Sequence, residues 1–79
     1  MFNAARTSPI SSIARNIRPA SQLLDDRHYC WGVLAVASLL DGRLAFRLEH
    51  IGTGELATFV TRPGARVTRG FHPDVRFRA

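Results

Sequence analysis

Three apolar segments joined by two turn signals fill the middle of the chain and limit the folds it can adopt. They extend from Tyr29 to Thr61 and contain most of the apolar residues that can form a core. The turn signals are Asp41-Gly42 and Gly52-Thr53-Gly54, which have the composition of tight turns. This arrangement predicts three consecutive antiparallel strands.

The first predicted strand runs from about His28 to Ser38. Both of its faces are apolar, which is typical of a central or well-covered strand. A helix over Val33–Leu40 is the competing interpretation, because alanine and leucine favour helices. Gly32 and the Asp-Gly turn that follows favour the strand.

The two turn signals predict how the strands pair. Asp41-Gly42 predicts a two-residue hairpin with positive φ at both turn residues. That register pairs Ala37 with Phe46 and Ala35 with Leu48.

The second strand alternates apolar and charged residues, so it has a core face and an outer face. Its core residues are Leu44, Phe46 and Leu48, and its outer residues are Arg43, Arg47 and Glu49. A four-residue loop, Gly52 to Glu55, predicts a third strand with Ile51 opposite Leu56. The same register sets Leu48 beside Phe59 and Arg47 beside Val60.

The C-terminal part contains a third turn and a possible fourth strand. Arg62-Pro63-Gly64-Ala65 is the turn, and Arg66 to Thr68 can begin the strand. The residues from Gly70 to Asp74 break it, and Val75 to Phe77 is predicted to be an edge strand or a lapped tail.

The N-terminal part is predicted to be helical. Ser8-Pro9 is typical of a helix start, and Pro19 ends the helix. Four apolar residues between them recur at helical spacing and would cover the sheet: Ile10, Ile13, Ala14 and Ile17. A second helical turn is predicted from Ala20 to Leu24. Two alternatives are a partner-binding amphipathic helix and an organellar transit peptide, since the first 24 residues are rich in Arg and Ser and lack acids.

A chain of 79 residues predicts one domain with little more than one helical layer on one sheet. The predicted fold is α+β: an N-terminal helical segment (residues 1–26) packed on an antiparallel β-meander of three to five strands with a C-terminal tail (residues 27–79). The single cysteine, Cys30, excludes an internal disulfide, and its setting at a strand start predicts a packed thiol. The longest apolar run, Val33 to Leu40, is too short to span a bilayer, so we expect no membrane partner. We expect a monomeric cytoplasmic protein.

Catalytic and cofactor-binding patterns are missing from the sequence. The six acids are scattered, and the three histidines lie on separate predicted elements without a cysteine partner. These spacings predict a protein that is not an enzyme, with no metal and no cofactor. Gly52-Thr53-Gly54 joins two strands and does not lead into a helix N-terminus, so it is a turn and not a phosphate loop. His50 is predicted to be a structural histidine on the core side.

The basic residues are the one pattern that suggests a function. The net charge is +5, all eleven basic residues are arginine, and residues 62–79 carry +4 of that excess. Arginine suits planar contacts to phosphate or carboxylate, and nearby aromatics such as Phe71 and Phe77 can stack on bases. The predicted partner-binding residues are Arg43, Arg47, Arg62, Arg66, Arg69 and Arg76. Three interpretations stay open: a solvated surface, a face for an acidic protein or ribonucleoprotein, and direct nucleic-acid binding.

The length, the compact α+β pattern, the missing catalytic set and the lysine-free meander LLDGRLAFRLEHIGTGELATFVTRPGARV together resemble the anti-CRISPR proteins that inhibit type I surveillance complexes. The resemblance implies a stoichiometric inhibitor that docks on a backbone subunit of the Cascade complex and blocks the entry of target DNA. The positive charge argues against DNA mimicry. A small nucleic-acid-binding protein is the alternative, and a basic accessory subunit is a third.

Overall fold

A six-stranded antiparallel sheet makes up the fold. The computed structural model describes residues 10–70. Within this range the strands are β1 (Ile10–Ile13), β2 (Gln22–Leu24), β3 (Cys30–Ser38), β4 (Leu44–His50), β5 (Leu56–Thr61) and β6 (Arg66–Arg69). Their order across the sheet is β1-β6-β2-β3-β4-β5. The prediction of an α+β fold with three to five strands is therefore wrong.

The predicted N-terminal helix is a strand followed by a single 3-10 turn over Ala14–Asn16. β1 is built from β-branched Ile, which favours strands, and from Ser, which is a weak helix former, and it pairs with β6 far along the chain. The helical spacing of the predicted apolar residues does not arise from an α-helix. A 3-10 turn repeats every three residues, so Ala14 and Ile17 lie on one side, and both are buried. The predicted helix start at Ser8-Pro9 lies outside the described residues.

The predicted second helical turn, from Ala20 to Leu24, is also wrong. Ala20 has a φ angle of 76°, which ends any helical geometry, and β2 begins two residues later. The buried side chain of Leu23 anchors β2, since Leu23 pairs with Trp31 on β3 and with Arg69 on β6. The helical segment predicted for residues 1–26 is thus replaced, over its described part, by two strands.

The strand interpretation of Val33–Leu40 is confirmed as far as Ser38, but β3 is not regular. Its register against β4 shifts between Val33 and Ala35, which makes Leu34 the extra residue of a β-bulge. Val33 pairs with Leu48 before the bulge, and Val36 pairs with Phe46 after it. The inward-facing residues are odd-numbered before the bulge and even-numbered after it, which explains why both faces of the sequence appear apolar.

The β3–β4 hairpin has a three-residue loop in place of the predicted two-residue turn. The Leu39 N–H donates to Arg43 O (2.8 Å) and the Gly42 N–H donates to Leu39 O (2.9 Å). Gly42 has a φ of 91°, while Asp41 has no positive φ. This geometry is a turn closed by a glycine bulge. It shifts the register by one, so that Ala37 pairs with Ala45.

The β4–β5 register differs from the predicted one by two residues. Phe46 lies opposite Phe59 and Arg47 opposite Thr58. A shift of two preserves the faces, because side chains alternate with a period of two. The predicted core and outer faces of β4 are therefore confirmed: Phe46 and Leu48 are buried, and Arg47 is exposed.

The predicted fourth strand is confirmed as β6, which lies between β1 and β2 and thereby joins the two halves of the sheet. The core on its inner side consists of Ala14, Ile17, Leu23, Val33, Phe46 and Leu48, with Trp31, Val36, Leu44 and Val67 packed against it. β6 ends at Arg69. The tail strand predicted at Val75 to Phe77 lies outside the described residues.

Candidate functional site

Arginines gather at the end of the sheet where β4 begins and β5 ends. Leu44 is paired with Thr61, and Arg43 and Arg62 are the next residues outward on the two strands. They are exposed and lie side by side at the sheet end. The antiparallel register brings together two arginines that are 19 positions apart in the sequence.

A third arginine, Arg15, joins this end through the β5–β6 turn. The 3-10 turn docks there, because the Arg15 N–H donates to Pro63 O at 2.9 Å. The Arg15 guanidinium lies over Gly64, with Nη1 3.8 Å from the position of a Cβ on that glycine. Arg66 begins β6, but its Nη1 donates to Ser11 Oγ at 3.2 Å and it lines a cavity together with Asp25 and Asp26, so it does not belong to this end. We call Arg15, Arg43 and Arg62 the basic end.

Acids neutralise little of the basic end. In the range 10–70 the one ion pair joins Arg43 Nε to Asp41 Oδ2 at 2.7 Å, and both side chains are half exposed. Hydrogen bonds from the Arg43 backbone N–H and guanidinium hold the pKa of Asp41 below its ordinary value. Arg15 and Arg62 have no acidic partner among the described side chains. Leu40, at the tip of the neighbouring hairpin, is fully exposed.

The other predicted partner-binding residues are more dispersed. Arg47 projects from the outer face of the sheet between Ala35 and Thr58. It lies four residues along β4 from Arg43, which corresponds to about 13 Å of strand. Arg69 lies opposite Ile10 and Leu23 at the far end of β6. Arg76 lies outside the described residues.

Arg15 is the basic residue that the sequence interpretation missed, because it was assigned to the polar side of a helix. The β-branched and serine residues of β1 were the local signal against that helix. The position of Arg15 beside the β5–β6 turn depends on pairing across more than 50 residues, for example between Ser11 and Arg66. No local pattern carries that information.

Four acids occupy the opposite end of the sheet. Asp25 and Asp26 lie in the β2–β3 turn, and Glu49 and Glu55 flank the β4–β5 turn. The two turns adjoin, because the Ile51 N–H donates to Cys30 O at 3.0 Å. We call this group the acidic end. The β4–β5 hairpin therefore has acids, Glu49 and Glu55, at its turn and arginines, Arg43 and Arg62, at its other end.

Asp25 and His50 hold the two turns of the acidic end through hydrogen bonds. Asp25 Oδ2 accepts the Trp31 Nε1–H at 3.0 Å, and Oδ1 accepts the N–H groups of Arg27 and Tyr29 at 2.9 Å each. The hydrogen bond from Trp31, followed by those from the two amides, lowers the pKa of Asp25. His50 Nδ1 accepts the N–H groups of the β4–β5 turn.

The prediction that His50 is structural is confirmed. Its Nδ1 lies 3.1 Å from the backbone nitrogens of both Gly52 and Thr53, and its ring packs edge-on against Trp31 at a centroid distance of 4.9 Å. The predicted packed thiol is confirmed as well. Cys30 Sγ donates to Gln22 Oε1 at 3.2 Å, and burial raises the pKa of the thiol.

An open pocket of about 480 Å³ lies on the concave side of the sheet. Leu23, Trp31 and Leu48 line it from the core, Phe59 lines it from β5, and Asp25 lies in its wall. Its volume is within the range of small-molecule sites. Its lining is mainly apolar, and it contains no polar side chain that is both buried and unpaired among the described residues.

Comparison of the chain with protein-family models, with curated proteins and with solved structures found no match. Among residues 10–70 there is no helix of the length and apolar character needed to cross a membrane. In this same part of the chain, no group of three His, Cys, Asp or Glu side chains is arranged to hold a metal ion. The basic end is therefore the candidate site on geometry and charge alone.

Proposed function

We propose that the protein is a non-enzymatic inhibitor that docks its basic end on a nucleoprotein complex and covers a surface that the complex needs for nucleic-acid binding. The observation that carries the proposal is the basic end itself. Three arginines, Arg15, Arg43 and Arg62, come from distant parts of the chain to one end of the sheet, and Asp41 is the only acid paired with any of them among the described residues. Arginines left free in this way are available to phosphates or carboxylates of a partner.

Leu40 supports a protein component in the target. A fully exposed leucine beside arginines can pack in an apolar pocket of a partner while the guanidiniums make polar contacts around it. Bare nucleic acid offers few such pockets. The target that the resemblance to anti-CRISPR proteins implies is a type I surveillance complex, through a Cascade backbone subunit, in the cytoplasm of a bacterial host.

A purified type I surveillance complex and a labelled target duplex provide the test. We expect the protein to abolish duplex binding at a stoichiometric ratio to the complex. The double variant Arg15→Glu/Arg62→Glu should lose this inhibition, because neither guanidinium has a partner inside the described fold. The variant Arg27→Glu is the matched control, since it reverses the charge of an exposed arginine in the β2–β3 turn, at the opposite end of the sheet.

Separate charge reversals locate the contact. The double variant Arg43→Glu/Arg47→Glu should lose inhibition whether the outer face or the end is the contact. Arg47→Glu alone distinguishes them, because it should lose inhibition only if the outer face is the contact. Circular dichroism and thermal unfolding must show that each variant is folded. A wild-type protein that leaves duplex binding unchanged in molar excess would refute the proposed target. Inhibition by far less than one molecule per complex would refute the stoichiometric mechanism.

Direct nucleic-acid binding is the second candidate, and the free guanidiniums of Arg15 and Arg62 favour it. Titration against labelled single- and double-stranded DNA and RNA tests it. Three arginine–phosphate contacts would weaken duplex binding about fortyfold between ~50 and ~200 mM salt. Binding that changes little with salt, or no binding at the lower salt, would exclude this function and leave the protein partner as the explanation of the charge.

A further inference from the structure

We propose that β5 is the interface of a homodimer in which the β5 strands of two copies pair in antiparallel fashion and continue the sheet from one molecule into the other. The sequence alone predicts a monomer, and this inference does not depend on the proposed function. It rests on the open edge of β5, on its exposed apolar residues and on the charges at its two ends.

The free edge of β5 is the first observation. Within residues 10–70, β5 pairs with β4 alone. The His50 N–H donates to Glu55 O at 2.7 Å, so the backbone groups of Glu55 point toward β4. Backbone direction alternates along a strand, so the N–H and C=O groups of Leu56, Thr58 and Val60 point away from β4. These groups form a row of unsatisfied donors and acceptors that can pair with another strand.

The composition of β5 is the second observation. Its sequence, LATFVT, lacks the charged residues and the proline that usually protect an edge strand from pairing. Leu56 is 58% exposed, Phe59 40% and Val60 39%, so half of the exposed large hydrophobic residues of the described chain lie on this one strand. Exposed apolar residues on an open edge are typical of an interface.

A twofold axis at Thr58 gives the outward-pointing backbone groups of Leu56, Thr58 and Val60 hydrogen-bond partners in the second copy. Thr58 then pairs with Thr58 of the second copy, and Leu56 pairs with Val60 of the second copy in both directions. Each of these three pairs exchanges two backbone hydrogen bonds, since all the residues point their backbone groups outward. The same pairing brings the exposed side chains of Leu56 and Val60 together on the outer face.

Charge favours a second copy as the occupant. Antiparallel pairing sets the acidic end of one molecule beside the basic end of the other. In this register Glu55 of one copy lies opposite Thr61 of the second copy, one residue from Arg62, and this proximity occurs twice. Unlike charges at both ends of the interface oppose the repulsion between two molecules that each carry +5.

Sedimentation equilibrium of the full chain tests the dimer between ~1 and ~500 µM, a range in which mass action can populate both states. The expected mass rises with concentration from 8.8 kDa to twice that value.

Leu56→Arg should raise the dissociation constant at least ~tenfold by placing a charge in the paired edge. Ile10→Glu is the control, because Ile10 is 59% exposed on the other edge strand. Each new charge lies opposite an unlike charge in its own sheet, Glu49 or Arg69, so neither variant should lose stability.

A charge swap makes the test independent of folding. Glu55→Arg and Arg62→Glu should each weaken the dimer by setting like charges near each other, and the double variant should restore it by returning unlike charges to both ends of the interface. Thr58→Pro should give a folded monomer, since it removes an N–H that β4 does not use. A monomeric mass at every concentration, or equal dimerisation of Leu56→Arg and wild type, would overturn the proposal. Nucleic acid is absent from these measurements, so they are decided separately from the proposed function.

Discussion

Trp31 donates its indole N–H to the carboxylate of Asp25, with Nε1 3.0 Å from Oδ2. The tryptophan also packs against the His50 ring and lines the pocket on the concave side of the sheet. One carboxylate therefore fixes the orientation of the only tryptophan in the chain and, through two backbone amides, the conformation of the β2–β3 turn. The Asp25 carboxylate thus accepts three hydrogen bonds at the acidic end.

Asp25→Asn should lower the free energy of unfolding by about 1 kcal/mol, because the amide NH₂ group cannot accept the indole N–H. Asp26→Asn is the matched control, since Asp26 is exposed in the same turn. Urea denaturation monitored by Trp31 fluorescence measures both. Equal effects of the two substitutions would show that the hydrogen bond from Trp31 contributes nothing measurable.

Stability should depend on pH through the same carboxylate. The pKa of Asp25 is lowered below its ordinary value of 3.8, so the folded state favours the ionised form. Its contribution is present above pH 3.8 and is lost as the pH falls through the lower pKa of the folded state. Asp41 adds an effect of the same sign. Asp25→Asn should therefore flatten the acid limb of the stability curve, and Asp26→Asn should leave it unchanged.

Phe46→Ala and Phe59→Ala should differ strongly in stability although the two rings stack at a centroid distance of 6.1 Å. Phe46 is fully buried, and its truncation should cost about 3–5 kcal/mol. Phe59 is 40% exposed, so its truncation removes less buried surface and should cost less than half as much. Chemical denaturation compares them directly. Similar costs would place Phe59 in the core and contradict its role at an exposed edge.

Two glycines should resist substitution for different reasons. Gly42→Ala should cost about 1–2 kcal/mol from backbone strain, since its φ is 91° and a Cβ there meets nothing within 4 Å. Gly70→Ala should destabilise by collision, because its Cβ would lie 2.8 Å from Leu24 Cγ. Leu24→Ala should remove the cost of Gly70→Ala and leave that of Gly42→Ala intact. A double-mutant cycle measures this coupling, and an additive result at Gly70 would contradict the collision.

The thiol of Cys30 should react slowly. Burial raises its pKa and so reduces the thiolate that attacks an electrophile. Iodoacetamide at pH 8 should modify the native protein several-fold more slowly than the urea-unfolded protein, with mass spectrometry as the readout. Equal rates would mean that the side chain is open to solvent.

The meander was predictable because its signals are local. Alternation along β4 gave the correct faces, and a register error of two residues at β5 left them unchanged. The error at β3 was of a different kind. A regular strand cannot turn inward both Val33 and Val36, and the bulge at Leu34 that allows it has no sequence signature as clear as a turn.

The N-terminal error has a physical cause as well. Ile13, Ala14 and Ile17 repeat at a spacing that a helix and a 3-10 turn share over so short a stretch. What decides between them is β6, more than 50 residues away, which offers β1 a pairing edge. The same limit applies to the prediction of the basic end. The positions of Arg43 and Arg62 follow from the pairing of neighbouring strands, whereas the position of Arg15 depends on the pairing of β1 with the distant β6.

Within residues 10–70, Glu49 and Glu55 at the turn of the β4–β5 hairpin and Arg43 and Arg62 at its other end give this hairpin an electric dipole along its strands. A polyanion that approaches would exert a torque on this dipole and turn the basic end toward itself before any contact forms. The orientation acts over roughly one Debye length, about 8 Å at physiological ionic strength, so salt should slow association more than it speeds release. The separation of charge thus determines the orientation in which the protein meets a polyanion, whatever the net charge contributes to the affinity.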